Sequence, residues 1–353
     1  MKNILRSLVI FVSLLGVGLN ETKAQDGLGN LLEAGAADAT TLLKHYMEPL
    51  FVGIGYGFQS GWYNTAKPHK FLGFDLTITG SASQVPSEKE FYTFLNSEFE
   101  NFYYADANSV EVPTLLGPNL GADDLPQLSV RDFNDLDNDG DFQEELVRIS
   151  APTGLGLEEE FPINAVPSPI IQVGVGLFKG TELKVRFIPE SAAESLVGRD
   201  EGYRFNMFGL GVMHDIKQWL PADKLMPFDL SIFAGFTQFN ASADLEPDDA
   251  ASDQKMDFEV NAMTIQGVIS KKLSFVTFYG GLGYVQSKVD FAMKGTYATE
   301  SGNLVDPIKF GYDESGFRGN LGLRLKLLFL TLSGEYAFQE YNTYSVSVGF
   351  AFN

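Results

Sequence analysis

The chain has 353 residues, with 46 acidic against 25 basic side chains and a formal net charge of −21 at pH 7, a balance that argues against a nucleic-acid partner. It contains no cysteine, which excludes a disulfide framework and any thiol chemistry. Aromatic residues at 13% and 36 glycines beside 15 prolines suit a twisted sheet with aromatic belts better than a helical bundle.

The N-terminus carries Lys2 and Arg6, then an apolar run at 8–19, then a polar stretch at 20–25. That is the layout of a cleavable secretory signal, with the cut expected at Ala24-Gln25 and residues 1–24 removed. The apolar run is shorter than the ~20 residues that a membrane-spanning helix needs. No other stretch reaches that length without polar interruption, so any membrane crossing falls to strands.

Residues 25–49 come next. Leu28, Leu31, Leu32, Gly35, Ala39, Leu42, Leu43 and Tyr46 recur at three- and four-residue spacing opposite Asn30, Glu33, Asp38, Thr41, Lys44 and Glu48. The spacing predicts one amphipathic helix, stopped by Pro49, which plugs a barrel lumen, lies on the membrane surface or packs on a neighbour, three roles that the apolar stripe alone does not separate.

From residue 50 the period changes to two. In 181–188, Leu183, Val185 and Phe187 alternate with Glu182, Lys184 and Arg186; in 317–327, Leu321, Leu323 and Leu325 alternate with Asn320, Gly322, Arg324 and Lys326. Candidate strands fall at 50–58, 71–80, 170–178, 181–188, 203–214, 228–239, 258–270, 273–285, 317–327, 328–338 and 343–352. Bacterial single-chain barrels have even strand numbers, so at least one more is expected in the long acidic insertion at 82–168, from 91–104 or 142–150. The predicted fold is therefore all-β, an antiparallel transmembrane β-barrel over 50–353, with 12 strands and 14 as the alternative. Tight links at Lys179-Gly180, 270–272 and Leu327-Leu328 alternate with longer polar ones, which places the tight ones at the periplasm. The last strand, with Tyr344, Val346, Val348, Phe350 and Phe352 on one face, resembles the C-terminal insertion signal of outer-membrane barrels.

Gly53-Ile54-Gly55-Tyr56-Gly57, Gly61-Trp62-Tyr63-Asn64-Thr65-Ala66-Lys67-Pro68-His69, Gly73-Phe74-Asp75-Leu76-Thr77, the Lys179 to Pro189 segment and His214-Asp215-Ile216-Lys217-Gln218-Trp219-Leu220-Pro221 resemble a domain-of-unknown-function family of predicted outer-membrane barrels. The resemblance implies a barrel, a signal peptide and a cell outer-membrane location, and it carries no catalytic residues. The overall plan is more weakly similar to outer-membrane transporters of long-chain fatty acids.

Three sets of residues carry candidate chemistry. Asp135, Asp137, Asp139 and Asp141 alternate around Gly140, the placement of oxygen ligands in a calcium loop; the bidentate glutamate of an EF-hand is replaced by Leu146, and the bland reading is a solvated acidic loop. The charged faces, Glu182, Lys184 and Arg186 with Arg318, Arg324 and Lys326, are expected to face the lumen, as pore lining or as a mutually satisfied network that holds the barrel together. His45, His69 and His214 sit in no serine elbow or metal-ligand spacing, so no enzyme activity and no resident cofactor other than calcium is expected. The leading functional reading is a passive channel or transporter for a small solute, a hydrophobic one being among the options. The alternative is a structural or interaction barrel whose acidic outer loops bind a partner or calcium.

Overall fold

The computed structural model describes residues 32, 35–132, 145–159, 161–190, 203–221, 226–245, 253–299 and 302–352. The expected signal segment and the four candidate calcium ligands, Asp135, Asp137, Asp139 and Asp141, lie outside them.

One helix, α1 (Ala36–Phe58), precedes the first strand, β1 (Phe74–Gln84). A lobe follows, with short strands β2 (Phe91–Leu95), β3 (Phe102–Tyr103), β4 (Ser109–Pro113), β5 (Gln127–Asp132) and β6 (Glu145–Ser150). Next come β7 (Ala165–Gly176), β8 (Thr181–Ile188), β9 (Tyr203–Asp215), β10 (Asp229–Asp244), β11 (Lys255–Leu273) and β12 (Val276–Lys294). A small hairpin of β13 (Thr296–Thr299) and β14 (Gly302–Val305) leads into β15 (Ile308–Leu327), β16 (Leu330–Phe338) and β17 (Thr343–Phe352). Ten of these, β1, β7 to β12 and β15 to β17, form a closed antiparallel barrel in which β1 pairs with both β7 and β17.

The barrel thus has ten strands rather than the expected 12 or 14. Segments 91–104 and 142–150 contribute β2, β3 and β6 to the lobe, where β2 pairs with β4, and β5 pairs with β3 and β6. Residues 50–58, read as a strand, are the second half of α1, and Pro49 lies inside the helix instead of ending it. The physical reason is burial on every side. All residues from Pro49 to Phe58 are buried, so the helix has no polar face there and shows no 3.6-residue pattern, while Gly53, Gly55 and Gly57 imitate a period of two. The glycines are needed for close approach: a Cβ at 53 would lie 2.6 Å from the Val166 side chain, and one at 57 would collide with Ser168.

Phe74, Leu76 and Ile78 of β1 point outward and are exposed, while Asp75, Thr77, Thr79 and Ser81 point into the lumen and are buried. The same alternation runs along β17, where Tyr344, Val346, Val348, Phe350 and Phe352 face out and Thr343, Ser345 and Ser347 face in. Among the described residues none covers this outer apolar belt, and its height of about nine residues matches the ~25 Å band of transmembrane barrels.

Short turns at 177–180, 274–275 and 328–329 mark one end of the barrel. The lobe and the links 189–202, 245–254 and 295–307 mark the other, while the 216–228 link, though longer, lies at the short-turn end. The middle turn was read at 270–272, but β11 runs on through Leu273, and Ser274 takes the left-handed backbone of the turn.

On the long-link side β11, β12 and β15, with 19, 19 and 20 residues, rise well beyond the 9 and 10 residues of β16 and β17. Above Phe208, Phe236, Met263, Tyr284 and Phe317, the outer faces of β9, β10, β11, β12 and β15 turn from apolar to polar, with Asn206, Gln238, Asn261, Gln286 and Ser315 next along each strand. The inner face does the reverse. At belt level it is largely polar, with a small apolar cluster where Met213, Phe233, Val268 and Tyr279 meet Trp62 and Tyr63; above the belt it carries Phe239, Phe258, Val260, Val289, Phe291, Phe310 and Tyr312, which pack with Leu50, Phe51 and Ile54 of α1 into the main apolar cluster. Burying each such side chain contributes about 2–3 kcal/mol, which outweighs the cost of Pro49 in a helix, ~3 kcal/mol.

Candidate functional site

Two regions inside the barrel hold the groups that chemistry can use: the polar lumen at belt level and a cleft above it.

The lumen is threaded by residues 59–73, the strap that runs from the end of α1 to the start of β1. An extended strap has no ladder, so its buried backbone groups need partners from the wall. Arg186 of β8 donates from Nη1 to the Phe58 carbonyl and from Nη2 to the Ser60 carbonyl, each at 2.6 Å, and its guanidinium carbon lies 3.5 Å from the centre of the Trp62 ring. Gln172 Nε2 donates to the Trp62 carbonyl at 3.1 Å, Ser231 Oγ to the Ala66 carbonyl at 2.6 Å, and the Ala66 N–H reaches Ser270 Oγ at 2.9 Å. The Tyr63 hydroxyl stands 2.6 Å from Gln266 Oε1 and 2.9 Å from Asn320 Oδ1. Arg318 of β15 bridges Glu335 Oε1 at 2.9 Å, Ser60 Oγ at 3.0 Å and Gln339 Oε1 at 2.7 Å.

The structure therefore brings five of the six predicted lumen residues inward and buries them: Glu182, Lys184, Arg186, Arg318 and Arg324. They form two groups. Glu182 and Lys184, 2.5 Å apart, sit near the short-turn end with Asp75 and His69; Arg186 and Arg318 hold the middle of the strap. Lys326 lies near the short turns and is only partly buried. The other two histidines are far apart: His45 of α1 stacks on Tyr92 of the lobe, and His214 Nδ1 lies 2.8 Å from Thr181 Oγ1 beside Trp219.

Above the belt, Met47 and Phe51 of α1 face Phe205 of β9, Phe239, Ala241 and Ala243 of β10, Met256 and Phe258 of β11, and Phe291 of β12 across a narrow apolar cleft of about 40 Å³. Arg204 at its rim is held by Asp244 at 2.6 Å. The lining of the cleft, apolar with a few polar groups at the edge, is of the kind that receives an apolar ligand, and admitting one takes a shift of α1 away from the wall. α1 is positioned for it by the lobe: the Asp38 carboxylate accepts the N–H groups of Glu100, Asn101 and Phe102 at 2.9, 2.6 and 3.0 Å. Tyr46 donates to the Thr153 carbonyl at 2.8 Å, and the Leu115 N–H donates to the Tyr46 carbonyl.

Sequence reasoning missed both the cleft and the strap. The cleft had a signal. On the inward parity of β10 to β12, residues change from Thr237, Thr264 and Ser287 to Phe239, Phe258 and Phe291, a switch from wet to greasy lining that marks where the lumen becomes a core.

The model of a family of unknown function, DUF6588, matches residues 1–352. No curated protein matches the chain. Solved structures with some likeness are the attachment invasion locus protein Ail of Yersinia pestis, 9% identical over 80% of this chain and 99% of that one, TM-score 0.26; the translocator domain of the autotransporter NalP from Neisseria meningitidis, 10% identical over 90% and 98%, TM-score 0.29; and the outer membrane protease OmpT from Escherichia coli, 8% identical over 79% and 95%, TM-score 0.26.

Proposed function

This chain belongs to the family of unknown function DUF6588, and from that premise we propose that it is an outer-membrane transporter which receives a small apolar solute in the cleft beside α1 and passes it inward when α1 and the strap shift. The unpartnered apolar belt supports a bilayer location, since a surface of that size is costly in water. The single observation that carries the transport reading is the two-sided lining of the cleft. Met47 and Phe51 belong to the plug, whereas Phe205, Phe239, Phe258 and Phe291 belong to the wall. A solute bound there touches both bodies, so any arrangement of α1 that fits it better is favoured by the difference in affinity.

A permanently open pore is not the form this reading takes, because the strap fills the lumen at belt level. The density of that filling favours a second reading, a closed barrel that displays the lobe to a partner. The two separate on binding of an environment-sensitive apolar fluorophore to the purified protein in detergent. Saturable binding that a small apolar competitor displaces supports the transporter; fluorescence that scales only with detergent supports the display barrel.

A further inference from the structure

We propose that His69, Asp75 and Glu182 form a divalent-cation site, suited to Zn²⁺, that fastens the strap to the wall near the short-turn end of the lumen. This goes beyond the transport reading and does not depend on it.

The three donors come from three segments: His69 from the strap, Asp75 from the start of β1 and Glu182 from the start of β8. β1 and β8 are not neighbours, since β7 runs between them. They meet here because β7 has Gly174 at this level, in register with Asp75 on one side and Lys184 on the other. A Cβ at 174 would collide with Asp75 and stand 2.8 Å from Glu182 Oε1. The absence of a side chain is what lets the carboxylates reach across.

Donor spacing fits the ion. His69 Nδ1 lies 3.2 Å from Glu182 Oε2 and 3.6 Å from Asp75 Oδ1, and the three donor atoms all fall within 4.8 Å of one another. Tetrahedral zinc, with bonds of about 2.0–2.2 Å to nitrogen and oxygen, sets its ligands roughly 3.3–3.6 Å apart.

Two of the donor atoms are also left over by the protein. His69 and Asp75 are 8% and 6% exposed, yet neither His69 Nδ1 nor Asp75 Oδ1 makes a well-aligned hydrogen bond, and the group nearest to Nδ1 is another donor of the set, Glu182 Oε2 at 3.2 Å, an expensive state for buried polar atoms. The remaining carboxylate oxygens are held as an outer shell would hold them. Thr77 Oγ1 donates to Asp75 Oδ2 at 2.8 Å, Lys184 Nζ to Glu182 Oε1 at 2.5 Å, and the His69 N–H to Glu182 Oε2 at 2.9 Å. One His and two carboxylates leave a fourth position for water. Lys184 and Arg324 are the cations that face the pair of carboxylates, so the ion enters against two resident charges and is held less tightly than in a closed all-protein zinc site.

The test uses the full mature protein, purified in detergent, stripped with chelator and titrated with Zn²⁺ by calorimetry, with bound metal measured after desalting. Co²⁺ serves as the spectroscopic probe. One zinc per chain is expected, with the intense visible bands of tetrahedral cobalt. His69→Gln, which keeps the volume of the ring, is expected to lower affinity at least about tenfold and to abolish those bands. Lys184→Met, which removes a competing charge, is expected to raise affinity. Absence of stoichiometric zinc in the wild type, or wild-type affinity in His69→Gln, overturns the proposal.

Discussion

Arg186 lies flat against Trp62, its guanidinium carbon 3.5 Å from the ring centre, while the same group donates to the carbonyls of Phe58 and Ser60. One wall residue thus holds the end of α1 and the first turn of the strap together. Arg186→Met keeps much of the volume and leaves two buried carbonyls unpaired. The expected cost is about 2–5 kcal/mol, read as a lower midpoint of denaturant unfolding. Arg186→Lys is expected to recover only part of it, because an ammonium cannot stack flat on the indole and fork to two carbonyls at once.

Gly57 packs directly on the wall, where a Cβ would collide with Ser168 Oγ. Gly57→Val places a branched side chain where Ser168 already stands, an overpacking cost of about 1–3 kcal/mol. The ten-stranded ladder has no need of α1 to pair, so the barrel is expected to persist while the helix is pushed aside. Single-channel recording in planar bilayers checks this: a silent wild type and a conducting Gly57→Val.

Ala243, 7% exposed, lines the cleft opposite Met47 and Phe51. Ala243→Phe fills the cleft from the wall without touching the strap. Binding of the apolar fluorophore is expected to fall more than about tenfold, with an overpacking cost of about 1–3 kcal/mol read as a lower midpoint of unfolding.

The lobe is tied to α1 partly through buried phenols. Burial pushes the Tyr46 hydroxyl up to about 12 and drives Tyr92 higher still, where Tyr46 and Glu98 add to the effect. Unfolded tyrosine ionises near pH ~10. Both folded values are raised, so their contribution to stability is full below pH ~10 and is lost as pH climbs through the folded values. Limited proteolysis of the lobe is expected to accelerate between pH ~10 and ~12, and Tyr46→Phe to blunt the change.

How much of this was legible in the residues depends on where each element sits. The wall strands read clearly because each has an apolar outer face and a largely polar inner one, a contrast that writes itself as alternation in Leu183 to Phe187 and in Tyr344 to Phe352. Glu182, Lys184, Arg186, Arg318 and Arg324 were placed inward by the same parity. The second half of α1 was misread because a helix enclosed on all sides by a barrel has no wet face, and Gly53, Gly55 and Gly57 left a false period. Segments 91–104 and 142–150 do contain strands, but short ones that pair among themselves. The strap was illegible because its partners are side chains on distant strands: nothing near Trp62 or His69 in sequence announces Arg186 or Glu182.

The central claim is that a solute moves through this barrel only if α1 moves. The chain has no cysteine, so Gly53→Cys with Val166→Cys creates a single possible disulfide; the Cβ atoms would start 3.0 Å apart, a small adjustment from the ~3.5–4.5 Å of such bridges. The measurement is uptake of a small apolar solute into vesicles carrying this variant, before and after oxidation. Uptake that stops when the bridge forms and returns with reductant is the predicted result. Equal uptake in the bridged and reduced proteins would contradict it.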